Sequence, residues 1–208
     1  MKDRAVPVEL TPVIGSTPVR LERHHSPAMA IELRHWQEDD APALARAVEA
    51  SLEHLRPWMP WIDAEPRSLD ERVELIREWE RGRLDGGDRA FGIFVDGEAA
   101  GSCGLHRRIG DGGLEIGYWV RADLTGRGIA TEAARQACDR AFADPTIDRV
   151  EIHHDRANPA SGRIPAKLGF ELAGEVHRAP AAPGEDGVEL VWRLTRDAWE
   201  RRDDEGPA

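Results

Sequence analysis

The sequence predicts a mixed α/β (α+β) fold, in which a largely antiparallel sheet is flanked by helices. Three observations support this class. Short segments with a period of two are interspersed with longer segments that have the 3.6-residue period of a helix. The turn signals Asp96-Gly97 and 110–113 join three strand-like segments into a meander. A strand–helix–strand succession and a final pair of strands follow, which differs from the regular alternation of a doubly wound sheet.

Each element follows from a local pattern. Asp39 or Asp40 caps the first predicted helix, which has Pro42 in its first turn and an apolar face ending at Leu55. Helical periodicity predicts further helices at 69–80, 129–141 and 159–167. The predicted strands are 31–34, 91–95, 99–106, 114–120, 150–152, 170–177 and 188–194.

The 208 residues fit one domain with two tails. Residues 1–28 show neither period and are interrupted by prolines, which predicts a flexible N-terminal extension. Met29 stands directly before the first strand and is a candidate for the true start. Residues 29–200 form the predicted folded domain, and residues 201–208 are predicted to be a disordered tail.

Composition disfavours several classes of protein. No run of about 18 apolar residues occurs, so no association with a membrane is expected. Cys103 and Cys138 lie in patterned apolar segments and are expected to be reduced thiols of a cytoplasmic protein. A net charge of -11 disfavours nucleic acid as a partner. The adjacent His153 and His154 point to opposite faces of a strand, so no metal site is expected.

A pair of glycines separates a predicted strand from a predicted helix. Gly126 and Gly128 allow a tight turn, and the helix after them offers free N–H groups and a positive dipole end. This combination binds a pyrophosphate, and Arg127 adds a charge contact. The absence of Gly-Lys-Ser/Thr excludes a Walker P-loop, and the spacing fits a Rossmann fingerprint poorly. Taken alone, the motif also fits a turn that binds nothing.

A second motif, residues 158–170 (NPASGRIPAKLGF), follows the next predicted strand. Together the two motifs resemble the acyl-CoA-binding motifs of the GNAT acyltransferase superfamily over roughly residues 30–195. Gly128 and Ala130 match the family's glycine loop, whereas Thr125 stands where the family has Gln or Arg. The resemblance implies acetyl-CoA as co-substrate, an acyl-CoA N-acyltransferase domain at 29–200, and a twisted sheet whose central strands splay apart.

The resemblance also implies the residues that contact acetyl-CoA. The amide of Asn158 is expected to hold the pantetheine arm. The full set is Trp119, Val120, Thr125, Gly126, Arg127, Gly128, Ile129, Ala130, Thr131, Asn158, Ser161 and Lys167.

A third segment, HLRPWMPW at residues 54–61, narrows the resemblance. With the strand that carries Glu115 and Trp119, it is similar to the RimJ/RimL branch of N-terminal acetyltransferases of ribosomal proteins. Trp58 and Trp61 either pack in the core or wall a substrate cleft. Relatives in this branch often form homodimers, which leaves a homodimer open for this chain.

Acetylation of an amine requires a base for the amine and a proton for the leaving thiolate. Glu115 is the candidate base, acting on the substrate amine through a water, because it alternates away from the apolar side chains of its strand. A solvent-facing glutamate without a function is the alternative. Tyr118, the one tyrosine of the chain, falls on the apolar face.

Ser161 is the candidate proton donor, since RimL-like relatives place a serine there near the sulfur of CoA. A capping role or a simple contact with CoA is the alternative for Ser161. Pro165 stands where many family members have a tyrosine.

The expected function is direct transfer of an acetyl group from acetyl-CoA to a primary amine, with a protein N-terminal α-amine as acceptor. Two alternatives stay open. One is a small-molecule acceptor such as an aminoglycoside, a polyamine or an amino acid. The other is a non-catalytic acyl-CoA-binding module, which Thr125 and Pro165 favour.

Overall fold

The computed structural model describes residues 29–204, and for 203 and 204 the backbone alone. The predicted extension, 1–28, and residues 205–208 lie outside this range. The strands are β1 (Ile31–His35), β2 (Arg89–Val95), β3 (Glu98–His106), β4 (Gly113–Val120), β5 (Arg149–Asp155), β6 (Glu171–His177) and β7 (Val188–Thr195). The helices are α1 (Ala41–Glu49), α2 (Leu52–Leu55), α3 (Leu69–Leu84), α4 (Ile129–Phe142), α5 (Pro159–Lys167) and α6 (Arg196–Asp204).

The strands form one sheet in the order β1-β2-β3-β4-β5-β7-β6. All neighbours pair antiparallel except β4 and β5, which pair parallel. That parallel pairing joins only 113–115 to 149–151. Beyond it, β4 continues along β3 to Val120, and β5 continues along β7 to Asp155. The two central strands therefore diverge, as the resemblance implied, and the divergence opens a gap in the middle of the sheet.

Helices cover both faces of the sheet. On one face α4 packs against β1, β3, β4 and β5, and its small side chains Ala133, Ala134 and Ala137 are fully buried there. Alanines let a helix approach a sheet closely, because their side chains add little thickness between the two backbones. On the other face α1 and α3 form a second core with Trp36 and Phe94. The mixed α/β fold predicted from the sequence is confirmed.

One predicted helix is broken in the structure. The sequence pattern predicted a continuous helix to Leu55, but the chain turns at Ser51 between α1 and α2. The buried Ser51 hydroxyl donates to the carbonyl of Ala47 at 2.8 Å and accepts from the N–H of Ala122 at 3.1 Å. A side chain that bonds to backbone groups competes with helical hydrogen bonds, so the apolar period continues while the helix does not.

The C-terminal helix reaches into the segment that the sequence assigned to the tail, since α6 runs to Asp204. Its start is fixed by Arg196, which donates to the carbonyls of Phe142, Asp144 and Ile147 at the end of α4. Trp199 is buried, and its ring lies 6.3 Å from that of Phe142. Within 29–204, no helix is both long and apolar enough to cross a membrane.

Candidate active site

The gap between β4 and β5 is continuous with a cleft of about 670 Å³. Its walls include four tryptophans and a group of polar side chains from β4, β5 and α5. A cleft of this size, largely apolar with a few convergent polar groups, is typical of a small-molecule or peptide-end site. Beyond Glu115, the backbone groups of β4 that face β5 have no ladder partner in the described part of the chain, so they are free to bind a carbonyl oxygen.

The glycine loop lies at the start of α4. Gly126 and Gly128 have φ angles of 75° and 81°, which only glycine adopts readily. A Cβ atom added at either glycine would meet nothing within 4 Å, so conformation rather than space requires them. Across residues 29–204, the backbone N–H groups of 126–131 donate to no protein acceptor. These N–H groups at a helix N-terminus fit the pyrophosphate of acetyl-CoA.

Two side chains in or beside the glycine loop bond to carbonyls of the preceding turn. Arg127 is exposed and donates to the carbonyl of Asp123 at 3.1 Å. The Thr125 hydroxyl donates to the carbonyl of Ala122 at 3.0 Å, so it closes the turn. Lys167 is exposed in the last turn of α5, whereas Ser161 lines the cleft from its first turn. The residues expected to contact acetyl-CoA thus fall into two groups, one in the glycine loop and one in the cleft. Helices α4 and α5, which begin at these two places, are in contact. The cleft group is Trp119, Asn158 and Ser161.

Asn158 and Ser161 meet at the N-terminus of α5. The Asn158 side chain accepts from the N–H of Ser161 at 3.2 Å and caps the helix. The Tyr118 hydroxyl lies 3.3 Å from the Ser161 hydroxyl and donates to the Ser161 carbonyl at 3.2 Å. Burial raises the pKa of the Tyr118 phenol, so it keeps its proton at neutral pH.

Sequence reasoning missed Tyr118, since strand alternation placed it on the apolar face. Its ring does pack on the core of that face, but its hydroxyl reaches past the end of the β4–β5 pairing to α5. A tyrosine in the strand that precedes the glycine loop was the available signal.

Glu115 lies at the base of the gap and is 7% exposed. Both of its carboxylate oxygens are bound by Arg108, with the Nε of Arg108 donating to Oε2 at 2.7 Å. The nearest imidazole is that of His153, whose Nδ1 lies 3.8 Å from Oε2 of Glu115. The predicted base therefore occurs as part of a charged group rather than as a free carboxylate.

Trp58 and Trp61 both line the cleft. Trp61 is 37% exposed, and its ring lies 5.9 Å from the ring of Trp119 at an angle of 49°. Of the two interpretations left open by the sequence, the structure favours the cleft wall over the core. Within the same described range, no group of three or more His, Cys, Asp or Glu side chains is arranged to hold a metal ion.

Comparison with known proteins identifies the family. A family model described as an acetyltransferase (GNAT) domain matches residues 30–171, more than half of the chain. The chain belongs to the GNAT acetyltransferase family. It is therefore an N-acetyltransferase, and the gap between its central strands is the candidate site of acetyl transfer.

Three similar proteins bear on this GNAT acetyltransferase. A Bacillus subtilis protein assigned as a ribosomal N-acetyltransferase, YdaF, is 28% identical over 82% of this chain and 93% of its own. The spermidine N(1)-acetyltransferase of Escherichia coli is 31% identical over 50% of this chain and 56% of its own. The structure of Mycobacterium smegmatis RimJ with CoA-disulfide has a TM-score of 0.71 at 26% identity, covering 85% of this chain and 89% of RimJ.

Proposed function

We propose that this acetyltransferase moves the acetyl group of acetyl-CoA directly to the α-amine at the N-terminus of a protein. The observation that supports it best is the cleft itself, which begins at the gap between β4 and β5 and is walled by four tryptophans, among which Trp61 is exposed. The end of an extended chain fits such a cleft, since rings contact a backbone of any sequence. The RimJ and YdaF similarities, which span most of the chain, point the same way. Such an acceptor would place the reaction in the cytoplasm, where ribosomal proteins are made.

Acetyl-CoA supplies the acetyl group as a thioester and leaves as a thiol. The backbone N–H groups of 126–131 would hold its pyrophosphate. Asn158 keeps its amide N–H₂ available as a donor, because its oxygen caps α5. The backbone N–H groups of β4 that face β5 beyond Glu115 would bind the thioester oxygen and stabilise the negative charge that develops on it.

Two groups of side chains would then move protons. Glu115 and His153, 3.8 Å apart, form a proton-accepting couple on the side where the amine enters. Ser161 and Tyr118 form a donating couple on the other side, and their hydroxyls lie 3.3 Å apart. Since the Tyr118 phenol stays protonated, it can replace a proton that Ser161 passes to the thiolate.

A polyamine acceptor is the second candidate, because of the similarity to a spermidine N(1)-acetyltransferase. That similarity covers half of this chain, whereas the similarity to YdaF covers 82%. The more extensive similarity favours the protein N-terminus.

A two-part experiment tests the proposal. Calorimetry first measures acetyl-CoA binding to the wild type and to Gly128→Asp, which places a negative charge and a side chain at the loop. Release of CoA is then followed with short peptides that differ in their first residue, with the same peptides blocked at the N-terminus, and with spermidine. We expect binding that Gly128→Asp abolishes, and turnover with free peptides alone. Turnover with spermidine but not peptides would establish the second candidate. Failure of the folded wild type to bind acetyl-CoA would refute both.

A further inference from the structure

His153 occupies a distinctive position on β5. It lies beyond Glu151, the last β5 residue that pairs with β4, and thus where the gap opens. Side chains alternate along a strand, so His153 shares a face with Glu151. Its side chain lines the cleft and is 17% exposed. An imidazole at the edge of the gap can reach both solvent and a bound amine.

One ring nitrogen of His153 is anchored. Its Nε2 lies 2.8 Å from Oε2 of Glu151, which is 4% exposed. The other oxygen of Glu151 accepts from Arg193 at 2.8 Å. Burial alone would raise the pKa of Glu151, but the hydrogen bonds from His153 and Arg193 outweigh it and hold that pKa below its usual value. An ionised Glu151 accepts a hydrogen bond from the Nε2–H group of His153, so the proton of the neutral ring is on Nε2 and the lone pair is on Nδ1.

The second ring nitrogen of His153 faces acceptors only. Nδ1 lies 3.5 Å from Oε2 of Glu189 and 3.8 Å from Oε2 of Glu115. Among residues 29–202, none donates a hydrogen bond to it. The two carboxylates would stabilise a positive charge on the ring. Glu115 differs in this respect, because Arg108 already binds both of its oxygens.

We propose that His153 is the general base of the acetyl transfer, that Glu151 positions it, and that Glu115 and Glu189 stabilise its charged form. This inference rests on the proposed function. Nδ1 of His153 takes one proton from the acceptor ammonium, directly or through a water, and later passes it to solvent. The freed nitrogen lone pair forms the C–N bond to the acetyl carbon as the C–S bond breaks. The second proton lost by that nitrogen reaches the thiolate sulfur through Ser161 and Tyr118 or through water.

The test compares His153→Gln, Glu151→Gln and the control His177→Gln, an exposed histidine on β6, with the wild type. The kcat/KM of the most active peptide is measured across the neutral pH range, and acetyl-CoA affinity by calorimetry. His153→Gln is expected to lower kcat/KM about 10²-fold, to leave acetyl-CoA affinity unchanged, and to remove the fall in rate at low pH that enzyme protonation causes. The ionisation of the peptide is common to all variants and cancels in the comparison. His177→Gln should match the wild type.

Glu151→Gln tests whether Glu151 positions His153 or only supports the fold. Without the Glu151 carboxylate, the charged form of the His153 ring is less stable. The low-pH fall in kcat/KM should therefore move to lower pH, and the overall rate should drop. Near-normal turnover and an unchanged pH profile in His153→Gln would overturn the proposal. If His153→Gln does not fold, an unmoved pH profile in Glu151→Gln would overturn it equally. A wild type that binds acetyl-CoA but acetylates no amine would refute the proposed function, and the role of His153 with it.

Discussion

At the scale of single residues, Arg108 is the side chain that holds Glu115. Its guanidinium binds both oxygens of a nearly buried carboxylate, yet 59% of the Arg108 side chain is exposed. An exposed arginine can move away with little loss of packing, so in the proposed reaction an acceptor ammonium entering the cleft would compete with it for Glu115. Glu115 would then contribute charge beside the reacting nitrogen both before and after the amine loses its proton.

Replacing Glu115 by Gln keeps the shape of the side chain and removes this charge. We expect kcat to fall about 10²-fold, because the cation formed on the amine side loses its stabilisation. Acetyl-CoA affinity should not change, since the glycine loop proposed to bind its pyrophosphate lies outside the cleft. Steady-state kinetics and calorimetry measure the two quantities, with Glu171→Gln on the exposed strand β6 as a matched control. Equal kcat in the two variants would leave Glu115 as a structural carboxylate only.

Tyr118→Phe removes one hydroxyl and keeps the ring in the core. If the Tyr118–Ser161 contact delivers the proton to the thiolate, kcat should fall roughly 10- to 100-fold. The kcat of Ser161→Ala should fall by a similar factor. The kcat of the double variant should fall little further than that of either single variant, because the effects of residues in one relay are not additive. Multiplicative losses in the double variant would show that the two hydroxyls act separately.

The sequence indicated part of this candidate site and missed the rest for a physical reason. Strand alternation indicated Glu115, and the family resemblance indicated Ser161; both line the cleft. The Tyr118–Ser161 contact joins residues 43 positions apart, and the Arg193–Glu151 bond joins residues 42 apart. Such contacts depend on which strands become neighbours, and here β7 lies between β5 and β6. The sequence pointed to His153 only as a possible metal ligand, because the strands that carry the carboxylates near its Nδ1 become its neighbours only in the folded sheet.

At the scale of elements, the start of α4 depends on backbone conformation. Gly128 is the residue before the helix and has a left-handed φ of 81°. Gly128→Ala should weaken acetyl-CoA binding without any clash, since the added Cβ meets nothing within 4 Å. Left-handed backbone costs a non-glycine residue about 1–2 kcal/mol, so roughly tenfold weaker binding is expected if the loop relaxes. Calorimetry measures it, with Gly174→Ala, a strand glycine with equal free space, as control.

The elements themselves were predicted well where one local rule decides them. The segment 159–167 is a helix as predicted, because Asn158 caps it and Pro159 occupies its first position. The break at Ser51 was not predictable, since it depends on a hydrogen bond to Ala122 from the turn after β4. The extension of α6 depends likewise on Arg196 reaching carbonyls beyond the end of α4.

At the scale of the whole molecule, the carboxylate of Asp155 joins two segments that border the cleft, namely the end of β5 and the loop before β7. Asp155 ends β5, is 4% exposed, and accepts from the backbone N–H groups of Ala157, Asp186 and Gly187. Two of these donors belong to the loop before β7, and that loop carries Glu185 and Ala181 in the cleft wall. The loop is therefore held to the sheet by a charged group rather than by apolar packing alone.

This arrangement predicts how stability depends on pH. Burial works against ionisation of Asp155, but its backbone hydrogen bonds prevail, and its pKa lies below the usual 3.8. The pKa values of Glu151 and Glu185 are also lowered, in spite of burial, by hydrogen bonds that include those from His153 and Arg178 respectively. A group with a lowered folded-state pKa stabilises the fold above its unfolded pKa. That contribution disappears as the pH falls through the folded value. The contribution of these three carboxylates to stability should therefore be constant from neutral pH to about pH 5 and decline below it.

Asp155→Asn tests this origin of the decline. At neutral pH the variant should lose roughly 2 kcal/mol of unfolding free energy, because bonds to a charged acceptor become bonds to a neutral one. The difference from the wild type should shrink as the pH falls, since Asp155 is then protonated in the wild type as well. Urea unfolding at several pH values measures it, with the exposed Asp111→Asn as control. A constant difference at every pH would mean that Asp155 acts through shape, and that other carboxylates set the acid limit of the fold.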